Sequence, residues 1–126
     1  MRTELVQSAL QDALDERRPG EGLIHHSDRG SQYASRAFQK TLKTNGMICS
    51  MSRKGDCWDN SVVESFFGTL KKELIYRNRW PSQVQAAKAI DEYIERFYNV
   101  RRRHSTLGFV SPIDYELGAL SMGLAA

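Results

Sequence analysis

Two acids, Asp28 and Glu64, have the type and spacing that could do chemistry in this chain. Glu64 lies 36 positions after Asp28, leaving 35 residues between them. Brought together, two carboxylates suit a hard divalent cation. Magnesium takes oxygen ligands and uses one or two carboxylates, with phosphates and water completing its shell; manganese would serve in its place. A pair of such ions about 3.5–4 Å apart can clamp the attacking and leaving oxygens of a phosphoryl displacement. Each acid also has an ordinary role open to it. Asp28 fits a turn aspartate bonding its own backbone. Ser61 followed by Glu64 fits a capping box at a helix start.

The elements around the two acids must position them. Gly22 to Asp28 reads as a short strand ending in the acid, with a turn through Arg29–Tyr33. Ser35 then caps a helix running to about Asn45, with Ala37, Phe38, Thr41 and Leu42 inward, and Asn45-Gly46 fits a left-handed helix end. Met47 to Met51 is a second strand. Strand, helix and strand at this spacing predict a parallel βαβ unit that returns the chain to the same end of the sheet, where ligands commonly bind. From Ser61 the chain reads as an amphipathic helix. At 100° per residue Val62, Val63, Phe66, Phe67, Leu70 and Leu74 share an arc of about 140°, and Glu64 sits beside its edge. The expectation is a carboxylate held by the core yet facing a groove.

Three more helices are expected. The first runs from a Thr3 cap to Arg17, the next starts at a Ser82 cap, and the last starts at Ser111-Pro112 with Pro at the first helical position. His25 and His26 alternate across the strand and point to opposite faces. Ser52 to Asn60 is a polar loop, and residues 121–126 read as a flexible tail. Residues 1–120 are expected to form one domain.

Composition narrows the class. At 126 residues, 40% hydrophobic and 26% charged, the chain is of ordinary globular make-up. No apolar run approaches 18 residues and no signal-peptide pattern opens the chain, so a cytoplasmic protein without membrane contact is expected. Cys49 and Cys57 lack zinc-ligand spacing and read as reduced thiols. The net charge of +3 is mild, but its cations are grouped. Arg101-Arg102-Arg103-His104 forms a basic run, Arg53 and Lys54 lie in the polar loop, and Lys71 and Lys72 follow Glu64 on its helix. By helical angle Lys71 is about 20° from Glu64. These residues, with Trp58 as a stacking partner for a base, are the expected nucleic-acid contacts; a solvated charge run and a hydrophobic plug are the plainer alternatives.

The strings His26-Ser27-Asp28-Arg29-Gly30-Ser31-Gln32-Tyr33, Ser50 through Asn60, Glu64 through Glu73, and Phe97-Tyr98-Asn99 through His104 together resemble the integrase core of bacterial insertion-sequence transposases, which is similar to that of retroviral integrases. The resemblance spans roughly residues 1–118. It implies a ribonuclease-H-like α/β fold, and a magnesium-dependent polynucleotidyl transferase whose Asp, Asp, Glu triad has 35 residues between its last two acids. By that likeness Asp28 is the second acid and Glu64 the third. Asp56 stands where many relatives carry Asn, and Ser61 where many carry Ala.

The first Asp of such a triad lies on a strand before the first helix, and these 126 residues hold no counterpart. The likeness therefore implies the C-terminal part of a core, with two parallel strands and covering helices, an unpaired sheet edge, and no strand cleavage or joining by the chain alone. The implied partners are DNA and further copies of the chain or a full-length transposase, in a bacterial, nucleoid-associated setting. The alternative function is a non-catalytic module that binds DNA weakly or modulates a full-length transposase. An unrelated metal-dependent nuclease would also cluster acids, but the Ser50–Asn60 string argues against it.

Overall fold

Caps are expected at Thr3, Ser35, Ser82 and Ser111. In the computed structural model, which describes residues 2–53 and 57–123, three of the four cap a helix with their side chains. Helix α1 (Thr3–Arg17) already includes Thr3; Arg2 holds the cap position and makes no side-chain cap bond. That start is tolerable because its first N–H groups can reach water. Ser35 Oγ accepts from the Phe38 N–H at 3.3 Å and begins α2 (Arg36–Thr44). Helix α3 (Ser61–Glu73) follows directly on a 3-10 turn at Cys57–Asn60. Ser82 Oγ accepts from the Gln85 N–H and begins α4 (Gln83–Glu92). Ser111 begins α5 (Pro112–Ser121), with Pro112 as its first residue.

Two strands complete the α/β set. β1 (Ile24–Ser27) pairs in parallel with β2 (Ile48–Met51), in the register Ile24 to Ile48 and His26 to Ser50. This is the expected two-stranded sheet. Among the described residues the protein is thus mixed α/β, with five α-helices and one parallel pair. Backbone contacts divide the chain into two compact units, residues 1–64 and 65–126, with the division falling inside α3.

The first unit has a well-defined core. Val6, Leu10 and Leu14, four residues apart on α1, pack with Phe38 and Leu42 of α2, and Tyr33 and Met47 close the edges. Phe38 and Leu42 are each only 1% exposed, which is worth about 1.5–3 kcal/mol apiece in burial. One face of the sheet joins this core through His25, whose ring meets Phe38 edge-on at 5.2 Å. The other face does not. Ile24 and Ile48, paired across the strands, are 61% and 53% exposed.

The second unit is held together largely by rings. Phe66 meets Tyr98 edge-on at 5.0 Å, and Tyr98 meets His104 at 4.9 Å. After α4 the chain winds as a π-helical turn over Tyr93–Tyr98. In that winding the hydrogen bonds run between residues five apart, so such residues lie closer to one face than in an α-helix. Tyr93 and Tyr98 accordingly lie 6.2 Å apart. An α-helical period carried through Tyr98 does not foresee this.

The apolar arc of α3 departs from expectation. Leu70 is buried, but Val63 and Phe67 are about half exposed and Val62 is 85% exposed. A helical stripe is buried only where another element covers it, and the first turn of α3 is covered only in part, with Val62 left largely in solvent. The carboxylate of Glu64 is therefore not gripped by a core on both sides.

Candidate functional site

The carboxyl end of β1 carries a tightly bonded turn. Ser27 is buried and its Oγ donates to the Asp28 carbonyl at 2.9 Å. Asp28 itself is exposed; its Oδ1 accepts the Gly30 N–H at 2.7 Å. The turn-aspartate role is thus filled by one oxygen, and Oδ2 stays open among the described residues. Arg29 Nε donates to the Ser52 carbonyl at 2.8 Å, fastening the turn to the end of β2.

Ser52 is a residue that sequence reasoning overlooked. It is 3% exposed. Its N–H donates to the Ser27 carbonyl at 2.9 Å, extending the pairing beyond the strands. Its Oγ lies 2.7 Å from Asn60 Oδ1, 3.1 Å from the Ser27 carbonyl and 3.4 Å from His26 Nε2. The shortest of these takes the single hydroxyl proton. The strand end bearing Asp28 is thereby tied to the turn that launches the helix bearing Glu64. Only the polar character of the Ser50–Asn60 string hinted at this clasp.

Glu64 lies exposed in the first turn of α3. Two exposed carboxylates offer the all-oxygen donor set that magnesium accepts. Among the described residues no group of three or more His, Cys, Asp or Glu side chains is gathered for a metal ion, so whatever Asp28 and Glu64 hold must be completed by water, phosphate or another ligand. The neighbouring histidines divide as the strand alternation predicts. His25 is half-buried against Tyr33 and Phe38, and burial above all lowers its pKa. His26 is exposed, with Nδ1 3.0 Å from Ser50 Oγ.

The cations fall into different settings. The Arg53 N–H donates to Asp59 Oδ2 at 2.9 Å and its guanidinium pairs with Asp59 Oδ1 at 3.5 Å. The backbone bond from Arg53, and then its side chain, holds the Asp59 carboxyl below its ordinary value. Lys71 and Lys72 are exposed near the end of α3. Lys54 and the side chain of Trp58 lie outside the described residues, as do Gly55, Asp56 and residues 124–126 of the expected tail.

The basic run divides most sharply. Arg102 turns inward onto Glu73. Its Nε donates to both carboxylate oxygens at 3.1 Å, and Nη2 donates to Oε1 at 2.9 Å. Tyr93 donates its hydroxyl to Glu73 Oε2 at 2.6 Å. The Arg102 guanidinium also sits 5.8 Å over the Tyr98 ring. Hydrogen bonding from Arg102 holds Glu73 below the usual carboxylate range, while burial and the bond to Glu73 push the Tyr93 phenol far upward. His104 is half-buried beside Tyr98, and burial followed by the Arg102 charge lowers its pKa. Arg101 and Arg103 remain exposed and line a groove of about 360 Å³ with Phe109, Ser111 and Asp114. Sequence reasoning missed Glu73, Tyr93 and Phe109 as functional residues; Glu73 meets Tyr93 and Arg102 across separations of 20 and 29 residues, for which no period exists, and Phe109 sits in a loop without a period.

Comparisons with known proteins bear on both units. A family model described as integrase core domain matches residues 45–112, and a second of the same description matches residues 1–57. An uncharacterized 31 kDa protein of insertion element IS600 from Shigella sonnei is 51% identical over 115 residues, covering 91% of this chain and 42% of the relative. The transposase for insertion sequence element IS904 from Lactococcus lactis is 44% identical, covering 92% of this chain and 46% of its own length. Transposase InsF for insertion sequence IS3A from Escherichia coli is 43% identical, with 92% and 40% covered. The chain thus spans less than half the length of these curated relatives.

Proposed function

Since this chain belongs to the integrase core domain family of insertion-sequence transposases, we propose that it serves metal-dependent phosphoryl transfer on DNA within a ribonuclease-H-like core, with Asp28 and Glu64 as its metal-binding carboxylates. The match of the family models across residues 1–57 and 45–112, which contain Asp28 and Glu64 respectively, is the observation that carries the reading.

Magnesium, or manganese in its stead, would polarise a phosphodiester oxygen and lower the pKa of the attacking water or 3′-hydroxyl. The chain's own residues have separate tasks. Asp28 offers Oδ2 while Gly30 fixes Oδ1. Glu64 offers its carboxylate from the first turn of α3, and the Ser52–Asn60 clasp sets the start of that helix relative to the strand end. Lys71, Lys72, Arg101 and Arg103 supply exposed positive charge for phosphates. Arg102 and His104, both expected as DNA contacts, serve the fold that presents their neighbours.

Two acids of the expected three occur in these 126 residues. The proposal is therefore that the 126-residue chain binds DNA without turning it over. No helix of the described residues is long and apolar enough to cross a membrane.

The test is DNA binding and strand transfer by this chain on duplexes bearing insertion-sequence ends, with magnesium. Binding whose affinity falls linearly in log–log plots against salt, without cleavage or joining, is expected. Absence of any binding would overturn the DNA role, and strand transfer abolished by Glu64→Ala would overturn the claim of no turnover.

A further inference from the structure

The groove beside the basic run has a feature that duplex binding does not call on. Phe109 is 69% exposed and adopts φ +62°, directly after Gly108 at φ +73°. A bulky residue in the left-handed region is uncommon, and persists where its surroundings hold it there. Here the Phe109 N–H donates to the His104 carbonyl at 2.9 Å, and the His104 N–H donates to the Val110 carbonyl at 3.1 Å. The Ile113 N–H, in the first turn of α5, donates to the Asn99 carbonyl at 3.0 Å. The loop is thus tied at both ends, and its aromatic ring is held out rather than in.

The cations around that ring are equally fixed. Arg102 is drawn inward by Glu73, so its neighbours Arg101 and Arg103 both stand at the groove that Phe109 lines. At about 360 Å³ the groove lies at the small end of the range for small-ligand sites, a size for one nucleotide unit and far less than a double helix. Asp114 also lines it, but its Oδ2 accepts the Ser111 hydroxyl at 2.8 Å. That places the acid at the α5 end, leaving the arginine side for a phosphate.

We infer that this groove is a site for an unpaired DNA nucleotide, the base stacking on Phe109 and the flanking phosphates lying against Arg101 and Arg103. The inference rests on the DNA role proposed above and adds a strand preference to it. In an intact duplex the base faces are already stacked on one another, so an exposed aromatic ring gains most from a base that has left the stack. Base–aromatic stacking is indifferent to sequence because every base has a π-face.

The experiment measures binding of a fluorescent oligothymidylate and of a hairpin duplex to the full chain and its variants by anisotropy. Phe109→Ala is expected to weaken single-strand binding about fivefold or more, with the duplex changed less than twofold. Phe109→Trp should retain the single-strand affinity. Phe109→Gly removes the left-handed strain, so it should fold at least as well by circular dichroism and still lose the single-strand affinity. Arg101→Ala and Arg103→Ala should weaken both ligands and flatten the salt dependence. Equal losses for the two ligands in Phe109→Ala, or none, would overturn the nucleotide site while leaving DNA binding intact. A wild-type chain that bound neither ligand would overturn the DNA role itself.

Discussion

Arg102 and Glu73, 29 residues apart, form a two-pronged pair: Nε reaches both carboxylate oxygens at 3.1 Å and Nη2 reaches Oε1 at 2.9 Å. Tyr93 adds a third donor at 2.6 Å. A planar guanidinium matches a carboxylate in this geometry and lysine does not. The pair anchors the basic loop to α3. Arg102→Ala should therefore cost about 1–2 kcal/mol, a bond to a charged group discounted because both side chains are partly exposed. Arg102→Lys should recover less than half of the loss. Urea denaturation followed by circular dichroism would measure both.

The same pair sets an acid limit. Glu73 is held below its ordinary value in the fold, chiefly by Arg102. Its contribution is present above the unfolded carboxylate range near pH 4.3 and is lost as pH falls through the depressed folded value. Glu73→Gln should remove that part of the acid sensitivity, read as a shallower fall of melting temperature with pH in this range.

Two histidines act nearer neutrality. His25 and His104 both have lowered pKa values, with burial as the leading cause. Their neutral forms suit the fold, so stability is full above the unfolded value near 6.5. It declines as pH falls below that value towards the lowered folded ones, because the unfolded chain binds protons first. A melting temperature that drops between pH 7 and 5, with a smaller drop in His25→Leu, is the expected outcome.

Ser52→Ala tests the clasp between the strand end and the turn before α3. The substitution leaves Asn60 Oδ1 without its 2.7 Å donor in a site where Ser52 is nearly fully buried. A cost of about 1–3 kcal/mol follows. Hydrogen exchange should quicken first at Asn60–Glu64, ahead of the α1–α2 core.

Much of this was legible from residues in order, and what was not has a common cause. Ser35, Ser82 and Ser111-Pro112 mark helix starts because capping is local, and the 35-residue interval between Asp28 and Glu64 spans a readable helix and strand that follow the strand before Asp28. Phe38 and Leu42 follow from one helical period. Thr3 failed as a cap because the first helix admits Arg2 in its place. The Val62–Phe67 stripe is apolar as read, yet exposed, since periodicity tells which face is greasy and not what covers it. Ser52–Asn60 and Arg102–Glu73 are side-chain pairings across loops, for which no period exists. The π turn at Tyr93–Tyr98 breaks the very period used to read helices.

The central claim is that Asp28 and Glu64 hold a divalent cation. Manganese titration followed by electron paramagnetic resonance tests it most directly, on the wild-type chain and on Asp28→Asn and Glu64→Gln. Asn keeps an oxygen to accept the Gly30 N–H, so the turn should survive and only the charge be lost. Each variant is predicted to bind manganese about tenfold more weakly or worse, a loss of at least about 1.4 kcal/mol. Binding equal to wild type in both variants, or no binding by the wild-type chain, would contradict the account.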